Sequence, residues 1–376
     1  EIDEARYIVE RIKSWSDSGN LYAESAILYR SNAQSRVLEE ALLRSRMPYR
    51  IYGGQRFFER VEIRNVLAYM RLVSSRDADA AFERVVNTPP RGIGGKSVAE
   101  IRVLAKAAGI PLWQAAEKIV DEGLLTGRAR KAIAAFLLMI ENLDEQTAEA
   151  DLGELVEVVV DASGLKDYHA KEGGERGQAR VENMAELVTA AKTFDPSVDY
   201  IFDTDPDEQE VPNLSVLDEF LSHAALEAGE GQGDPDQDCV QLMTMHSAKG
   251  LEFPLVFLSG LEDGLFPHMM SLEEPGRLEE ERRLCYVGVT RAMKQLYLTY
   301  AESRRINGSE TFNRPSRFIS EMPEEVIKEV RPQKSVVYPR SAPSRIANEV
   351  MGTDFKIGQR VVHQKFGEGV ILNYEG

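Results

Sequence analysis

The sequence lacks the features of several specialised protein classes. It has only two cysteines in 376 residues, Cys239 and Cys285, and both stand among apolar neighbours without the spacing of a metal site. No apolar run reaches the roughly 18 residues that a membrane-spanning helix needs, and no signal peptide is visible at the start. These absences argue against a disulfide-stabilised, zinc-binding or membrane protein, and they predict a reduced, cytoplasmic one.

Positive charge is missing from one stretch of the chain and enriched in another. Residues 203–238 contain twelve Asp and Glu and neither Lys nor Arg, so they supply most of the formal net charge of −17. Residues 28–71 contain nine Arg and four Glu. Such a segment is a candidate phosphate-contacting surface, and the alternative is a solvated helix face with ion pairs; the charge alone leaves both open.

A motif of ATP-hydrolysing enzymes is also missing. No stretch of the chain has the form GxxxxGK[ST], the glycine-rich loop that cradles the phosphates of ATP. Without that loop the phosphates and Mg²⁺ have no cradle, so we expect this chain by itself to be inactive as an ATPase.

The order of predicted elements indicates an α/β domain interrupted by helices. Apolar periodicity predicts an amphipathic helix over residues 3–15 and a helical pattern from 62 to 194, with another helix over 214–226. Apolar runs of strand length recur on both sides of these helices, over residues 25–30, 49–52, 240–245, 255–258 and 296–300. The order of strands and helices predicts an α/β layer.

This order divides the chain into five predicted segments. Residues 1–62 and 237–330 are the two parts of one α/β domain, and residues 63–236 are a mostly helical insertion. Residues 331–353 are rich in Pro and Ser and predict a linker. Glycine-broken alternation in residues 354–376 predicts the first hairpin of a small Tudor/SH3-like β-barrel, which the chain ends too early to close.

The string VQLMTMHSAKGLEF, residues 240–253, carries the strongest ligand-binding pattern. An apolar strand leads into a loop of hydrogen-bond donors, which is where open α/β sheets place ligands. We expect Thr244, His246 and Ser247 to donate to phosphate oxygens without reading base identity. Gly250 lets the chain turn closely, and Glu252 is expected to accept the hydroxyls of a ribose. The alternative is an ordinary strand-to-helix connection.

A second string, EEERRLCYVGVTRA, spans residues 279–292 and places Arg291 at the end of a predicted helix, just before a strand. An arginine at such a rim can reach across a cleft to a transferring phosphoryl group and stabilise the charge of the transition state. The alternative is an ion pair between Arg291 and one of the preceding glutamates.

The predicted insertion contains PRGIGGKSVAEI, residues 90–101, which resembles a helix–hairpin–helix. Gly92 and Gly94 let backbone N–H groups face a phosphate beside a helix N-terminus, and Arg91 and Lys96 add positive charge. These features predict a contact with phosphate groups. The alternative is an ordinary glycine turn between two helices.

The strings at residues 240–253 and 279–292 resemble the fifth and sixth helicase motifs of the UvrD/PcrA/Rep family, superfamily one DNA helicases. Three more strings resemble that family and follow its order: AILYRSNAQSR from residue 26, YGGQRFF from 52 and RPSRF from 314. The resemblance runs from about residue 3 to about 325 and is strongest to the UvrD branch.

The resemblance implies the second RecA-like domain of an ATP-dependent helicase that moves 3′ to 5′ on single-stranded DNA. Arg291 then matches the arginine that senses the γ-phosphate, and Glu252 the glutamate at the ribose. Asn32, Thr244 and His246 match positions near the single strand. The implied cofactors are ATP and Mg²⁺, and the Mg²⁺ ligands belong to an N-terminal RecA-like domain upstream of residue 1; no metal ligand is assigned here.

The implied partners are single-stranded DNA, single-strand/duplex junctions and that N-terminal domain, with repair proteins or RNA polymerase at the C-terminal barrel and no membrane. In one departure, relatives place a base-stacking aromatic residue where this chain has Asn307. The alternative function is a DNA-binding or partner-binding module without enzymatic activity. A helicase–nuclease relative is disfavoured, because no Asp…Glu-x-Lys nuclease core appears.

Overall fold

The chain divides into two compact units, Glu1–Lys328 and Glu329–Gly376. The computed structural model describes residues 1–125, 127–196, 215–229, 237–273, 276–306 and 309–330, with the backbone of 360–363 and 367–370. Among the helices within these ranges, none combines the length and the apolar character needed to cross a membrane.

The first unit contains a five-stranded parallel sheet, which agrees with the predicted α/β class. The strands are β1 (Ser25–Tyr29), β2 (Tyr49–Ile51), β3 (Val240–Thr244), β4 (Phe253–Leu258) and β5 (Ala292–Leu298), in the order β2-β3-β1-β4-β5. Central β1 is buried along its whole length, as is typical of a parallel sheet covered on both faces.

Strand β5 begins at Ala292, earlier than the predicted start at residue 296. Residues 293–295 are exposed because β5 is an edge strand, so its first half carries little apolar signal. The earlier start places Arg291 directly before a strand.

A long helical segment separates β2 from β3, although these two strands are neighbours in the sheet. Two helices accompany the first strands, α1 (Ile2–Asp17) and α2 (Ser35–Arg44). The helical segment comprises α3 (Val61–Ser74), α4 (Asp79–Val85), α5 (Gly95–Ala108), α6 (Leu112–Glu122), α7 (Gly127–Thr147), α8 (Leu152–Ala162), α9 (Leu165–Ala170), α10 (Gly174–Thr193) and α11 (Val216–Gly229). The chain therefore leaves the sheet after β2 and returns to it at β3.

The elements after β4 complete the first unit. They are α12 (Met269–Glu273), α13 (Arg277–Val289), the antiparallel strands β6 (Arg304–Ile306) and β7 (Ser309–Thr311), and α14 (Arg317–Ser320). In the second unit, β8 (Arg360–His363) and β9 (Gly367–Val370) pair antiparallel, and the β-barrel that they would begin stays a prediction. The predicted linker 331–353 and Asn307 lie outside the described residues.

The sheet and the helical segment have separate hydrophobic cores. On one face of the sheet, α1 buries Ile8 and Ile12, which lie on the apolar stripe that predicted this helix. Leu284 of α13 packs on the other face. The helical segment builds its own core, in which the rings of Trp113 and Phe136 pack around Phe82. The exact domain boundaries at residues 62, 236 and 330 stay predictions.

Candidate functional site

Three predicted site residues lie at the carboxyl edge of the sheet, where β1 and β3 end side by side. Tyr29 of β1 is in register with Thr244 of β3, and the Met245 N–H donates to the Tyr29 carbonyl at 2.9 Å. Asn32 follows β1 in a short 3₁₀ turn, and His246 follows β3. We call Asn32, Thr244 and His246 the carboxyl-edge cluster.

The loop after β3 is held by its own hydroxyl groups. The Thr244 Oγ1 and Ser247 Oγ atoms are 3.0 Å apart, and the Ser247 N–H donates to Thr244 Oγ1 at 3.2 Å. Gly53 lies against this loop with φ of 71°, and a Cβ there would stand 3.7 Å from Ser247 Oγ. The string that begins at Tyr52 therefore meets the string that contains Thr244, as two parts of one surface.

His246 is a polar group without a fixed charge. Its ring reaches solvent, yet the surrounding protein partly desolvates it. This desolvation, and next the positive charge of Arg30, lower the pKa of His246 below its ordinary value. Near neutral pH the ring is therefore uncharged, with one nitrogen free to donate and the other to accept a hydrogen bond.

Arg291 lies at the opposite, amino edge of the sheet. Its guanidinium donates from Nη1 to the Leu251 carbonyl (2.8 Å), from Nε to the Val287 carbonyl (2.9 Å) and from Nη2 to Thr290 Oγ1 (2.9 Å). Within the described residues no carboxylate pairs with it, so the alternative of an ion pair with a preceding glutamate is wrong for that part of the chain. Three neutral contacts hold the side chain and leave its charge uncompensated.

Glu252 and Gly250 lie on the same side as Arg291. Phe253 is in register with Ala292, and its N–H donates to the Arg291 carbonyl at 2.9 Å, so the residues that precede β4 and β5 are neighbours. The Glu252 side chain is exposed. We call Gly250, Glu252 and Arg291 the amino-edge cluster.

This geometry corrects the expectation of a single ligand loop at the strand ends. Strands β3 and β4 run in the same direction, so the connection from Met245 to Glu252 must cross from the carboxyl edge to the amino edge. Gly250, with φ of 88°, supplies a left-handed conformation within that crossing. His246 and Glu252 therefore stand at opposite ends of the crossing, at different edges of the sheet.

The glycine turn before α5 is a shaped and open loop. Asn87 Oδ1 accepts hydrogen bonds from the Arg91 N–H (2.8 Å) and the Ile93 N–H (3.1 Å), and Gly92 has φ of 82°. A Cβ at Gly92 or Gly94 would meet no atom within 4 Å, and Lys96 is exposed in the first turn of α5. The surface is open to a ligand at these positions.

Arg91 does not extend from this turn as the sequence predicted. Its Nη2 donates to the Ser163 carbonyl at 2.8 Å, and its Nη1 to the Pro89 and Val85 carbonyls at 3.1 and 3.2 Å. The guanidinium also stands 5.7 Å from the centre of the Tyr69 ring. Arg91 satisfies carbonyls of neighbouring turns, so its charge is directed into the fold.

Part of the arginine-rich segment 28–71 is an internal network, whereas Arg44, Arg46, Arg64 and Arg71 are exposed. Arg36 is 4% exposed and donates from Nε to Glu186 of α10 at 2.6 Å. Arg60 is 7% exposed and donates to Asn183 of the same helix at 3.0 Å. These contacts join the first part of the sheet domain to the helical segment, an outcome that neither sequence interpretation anticipated.

One buried acid in the second string escaped the sequence prediction. Glu281 is 4% exposed, and it shares the buried face of α13 with Leu284, Cys285 and Gly288. The spacing of these residues carries the signal, because a carboxylate on an otherwise apolar helix face requires a buried partner. That partner is Arg30, whose Nη2 lies 2.8 Å from Glu281 Oε1.

Comparisons with known proteins show the family to which this chain belongs. The family model of the UvrD-like helicase C-terminal domain matches residues 1–303, and the chain belongs to this family. DNA helicase II (UvrD) of Escherichia coli K12 is 55% identical over 378 residues, which cover 100% of this chain and 51% of that protein.

More distant relatives follow the same pattern. ATP-dependent DNA helicase PcrA of Staphylococcus epidermidis is 39% identical over 384 residues, which cover 99% of this chain and 51% of that protein. ATP-dependent DNA helicase UvrD1 of Mycobacterium tuberculosis is 38% identical over 395 residues, covering 100% of this chain and 51% of that protein. The chain therefore spans about half the length of the curated relatives it matches.

Proposed function

We propose that this chain is the C-terminal half of an ATP-dependent DNA helicase that moves 3′ to 5′ on single-stranded DNA. Family membership and the names of the relatives support a helicase. The observation that carries the proposal furthest is Arg291, whose charge has no carboxylate partner among the described residues and stands beside the exposed Glu252. This is a suitable arrangement for a nucleotide.

The amino-edge cluster would form one wall of a nucleotide cleft. Arg291 would stabilise the negative charge that develops on the transferring phosphoryl group, and its three neutral contacts hold it in place beforehand. Glu252 would accept the ribose hydroxyls, with Gly250 shaping the approach.

The other wall of the cleft would belong to an N-terminal RecA-like domain. Within the described residues, no group of three or more His, Cys, Asp or Glu can hold a metal ion. The chain also has no GxxxxGK[ST] loop, so the phosphate cradle and the Mg²⁺ ligands would come from that domain. Mg²⁺ would neutralise phosphate charge there.

The carboxyl-edge cluster would contact the backbone of single-stranded DNA. The Asn32 amide, the Thr244 hydroxyl and the uncharged His246 ring can bond to phosphate oxygens without reading the base. Such contacts are easily broken and remade, which suits a protein that steps along a strand. ATP cleavage would open and close the cleft and draw the strand across this edge.

The domain assignment follows from the same proposal. Residues 1–62 and 237–330 would form the second RecA-like domain, and residues 63–236 its insertion. The insertion would meet the duplex ahead of the fork through the backbone of Gly92 and Gly94 and through Lys96. Residues 354–376 would begin a Tudor/SH3-like barrel, with repair proteins or RNA polymerase as its candidate partners.

Two enzymatic assays test this proposal. The complete helicase should hydrolyse ATP faster with single-stranded DNA, and it should unwind a duplex with a 3′ tail but not one with a 5′ tail. The assignment would be overturned by an ATPase rate that is the same with and without single-stranded DNA, or by faster unwinding of a duplex with a 5′ tail than of one with a 3′ tail.

The isolated 376-residue chain provides the second comparison. It should bind DNA without hydrolysing ATP, because the phosphate loop is absent from it. The alternative function, a DNA-binding module without enzymatic activity, would then describe the isolated chain. DNA-stimulated ATPase activity above a mock preparation would contradict the division of roles between the two halves.

A further inference from the structure

A buried ion pair joins the carboxyl edge of the sheet to helix α13. Arg30 directly follows β1, and its Nε lies 3.0 Å from both carboxylate oxygens of Glu281, while its Nη2 lies 2.8 Å from Oε1. The side chains are 18% and 6% exposed, respectively. A bidentate pair with little water around it fixes both distance and orientation, so the two groups move together.

At one end, this pair is tied to the carboxyl-edge cluster. Gln34 Oε1 accepts hydrogen bonds from the Arg30 N–H (3.0 Å) and the Ser31 N–H (2.8 Å). The turn that contains Asn32 is thereby closed on itself. A shift of Asn32 against a bound strand would pass to the backbone of Arg30, and from there to its guanidinium.

At the other end, the pair is tied to Arg291. Glu281 lies near the start of α13, and the ten residues to Arg291 span about 15 Å at the rise of an α-helix. Arg291 Nε bonds to the Val287 carbonyl in the last turn of α13. A rigid helix therefore connects Glu281 to the guanidinium that faces the nucleotide.

A ring of contacts closes around the pair and includes the helical segment. The His268 N–H donates to Glu281 Oε2 at 3.2 Å, and His268 Nε2 lies 3.3 Å from a carboxylate oxygen of Glu182 on α10. The Ser31 hydroxyl bonds to the other Glu182 oxygen at 2.5 Å. The series of contacts therefore ends at Ser31, next to Asn32, and it restricts rotation of the Arg30 and Glu281 side chains.

We propose that the Arg30–Glu281 pair is a positioning device that couples DNA at the carboxyl edge to the placement of Arg291 at the amino edge. The inference rests on the proposed helicase function and adds the route by which DNA stimulates hydrolysis. Rigid elements and ion-pair networks carry coupling between separated sites. Arg30 and Glu281 are positioning residues, because the ligand-facing atoms belong to the two clusters.

The test compares ATP turnover by the complete helicase with and without oligothymidylate. In Glu281→Gln the bond from the His268 N–H is kept and the ion pair is lost. The ratio of DNA-stimulated to DNA-free kcat should fall about tenfold, the size of a typical coupling between sites. Arg30→Lys keeps the charge but not the bidentate contact, and it should lower the ratio by a smaller factor.

The adjacent Arg282 offers a matched control on the same helix. It forms its own bidentate pair with Glu321, at 2.7 and 2.9 Å, without contact to the turn after β1. Arg282→Gln should therefore leave the stimulation ratio unchanged. The thermal unfolding of each variant shows whether it is folded. If Glu281→Gln is not folded, the ratio of DNA-stimulated to DNA-free kcat in Arg30→Lys decides whether the proposed coupling exists.

The outcomes separate this inference from the proposed function. An unchanged ratio in the folded variants, or an equal loss of the stimulated and DNA-free rates, would overturn the coupling and leave the helicase assignment intact. A wild-type enzyme whose hydrolysis does not respond to DNA would overturn the proposed function and the inference with it.

Discussion

The carboxyl-edge cluster and the amino-edge cluster hold different kinds of polar group. The carboxyl-edge cluster presents neutral donors, the Thr244 hydroxyl and the uncharged His246 ring, together with the Asn32 amide. The amino edge presents full charges on Arg291 and Glu252. Neutral groups suit a ligand that must be released at every step, whereas a fixed charge suits a ligand whose own charge changes during the reaction. The comparison therefore predicts different losses when each edge is altered.

Removing the charge of the amino edge should have the largest effect. In the complete helicase, Arg291→Ala should lower kcat for ATP on the order of 10³-fold and change KM much less, because the group acts on charge that develops in the transition state. Steady-state ATPase kinetics with saturating single-stranded DNA measure both constants.

Arg283→Ala is the matched control for this substitution. Arg283 lies on the same helix and is paired with Glu280 at the surface, where both side chains are about three-quarters exposed. Its loss should leave both constants within about twofold, as expected for a surface ion pair. A wild-type kcat in Arg291→Ala would contradict the prediction, because the charge at the amino edge would then have no role in hydrolysis.

The second prediction concerns Glu186 of α10, which accepts a hydrogen bond from Arg36 of α2. Burial raises the pKa of Glu186 to about 7, and the opposing effect of Arg36 does not cancel it. The folded chain then binds more protons than the unfolded one between about pH 4.5 and 7, so its stability falls as the pH rises through this window. Glu186→Gln lacks this titrating group. The difference in unfolding free energy between the variant and the wild type should therefore shift in favour of the variant by roughly 3 kcal/mol as the pH rises from 4.5 to 8.

Glu182, one turn away on α10, is the control. The pKa of Glu182 is lowered: burial acts to raise it, but hydrogen bonds from His268, Ser31 and Gln178 have the larger combined effect. Glu182→Gln should therefore lack the gain in relative stability that Glu186→Gln shows between pH 5 and 8. Urea unfolding at several pH values measures both variants, and parallel curves for Glu186→Gln and the wild type would contradict the prediction.

Local patterns predicted much of the fold, and they failed where a contact joins distant parts of the chain. The stripe of Ile8 and Ile12 and the run that forms β1 are local signals, and the structure agrees with both. The division into two edges depends on strand order, because only the parallel β3 and β4 force the chain between them to change edges. The pairing of Glu281 with Arg30 could not be predicted from local patterns either, because the two residues are 251 positions apart in the sequence.

The third prediction separates the two basic residues of the glycine turn, which the sequence treated alike. Arg91→Ala should lower the unfolding free energy by about 2 kcal/mol, because its carbonyl acceptors would lose a charged donor. Lys96→Ala should leave stability unchanged and reduce the salt dependence of duplex binding by about one counterion.

Urea unfolding and titrations of a fluorescent duplex at several salt concentrations measure these effects. A stable Arg91→Ala variant with a reduced salt slope would restore the original expectation that Arg91 contacts phosphate. We also expect the acidic tract 203–238 to face away from DNA, because its twelve carboxylates would be repelled by the phosphate backbone. This tract lies mostly outside the described residues, so its orientation stays a prediction.

The most direct test of the two-edge account is the affinity of the nucleotide-free helicase for single-stranded DNA. Thr244→Val combined with His246→Ala should weaken binding about tenfold, since two hydrogen bonds to phosphate are worth on the order of 1 kcal/mol or more in total. Arg291→Ala, at the other edge, should bind the same oligonucleotide within about twofold of the wild type. Equal losses in the two variants, or a loss confined to Arg291→Ala, would contradict the assignment of DNA to the carboxyl edge.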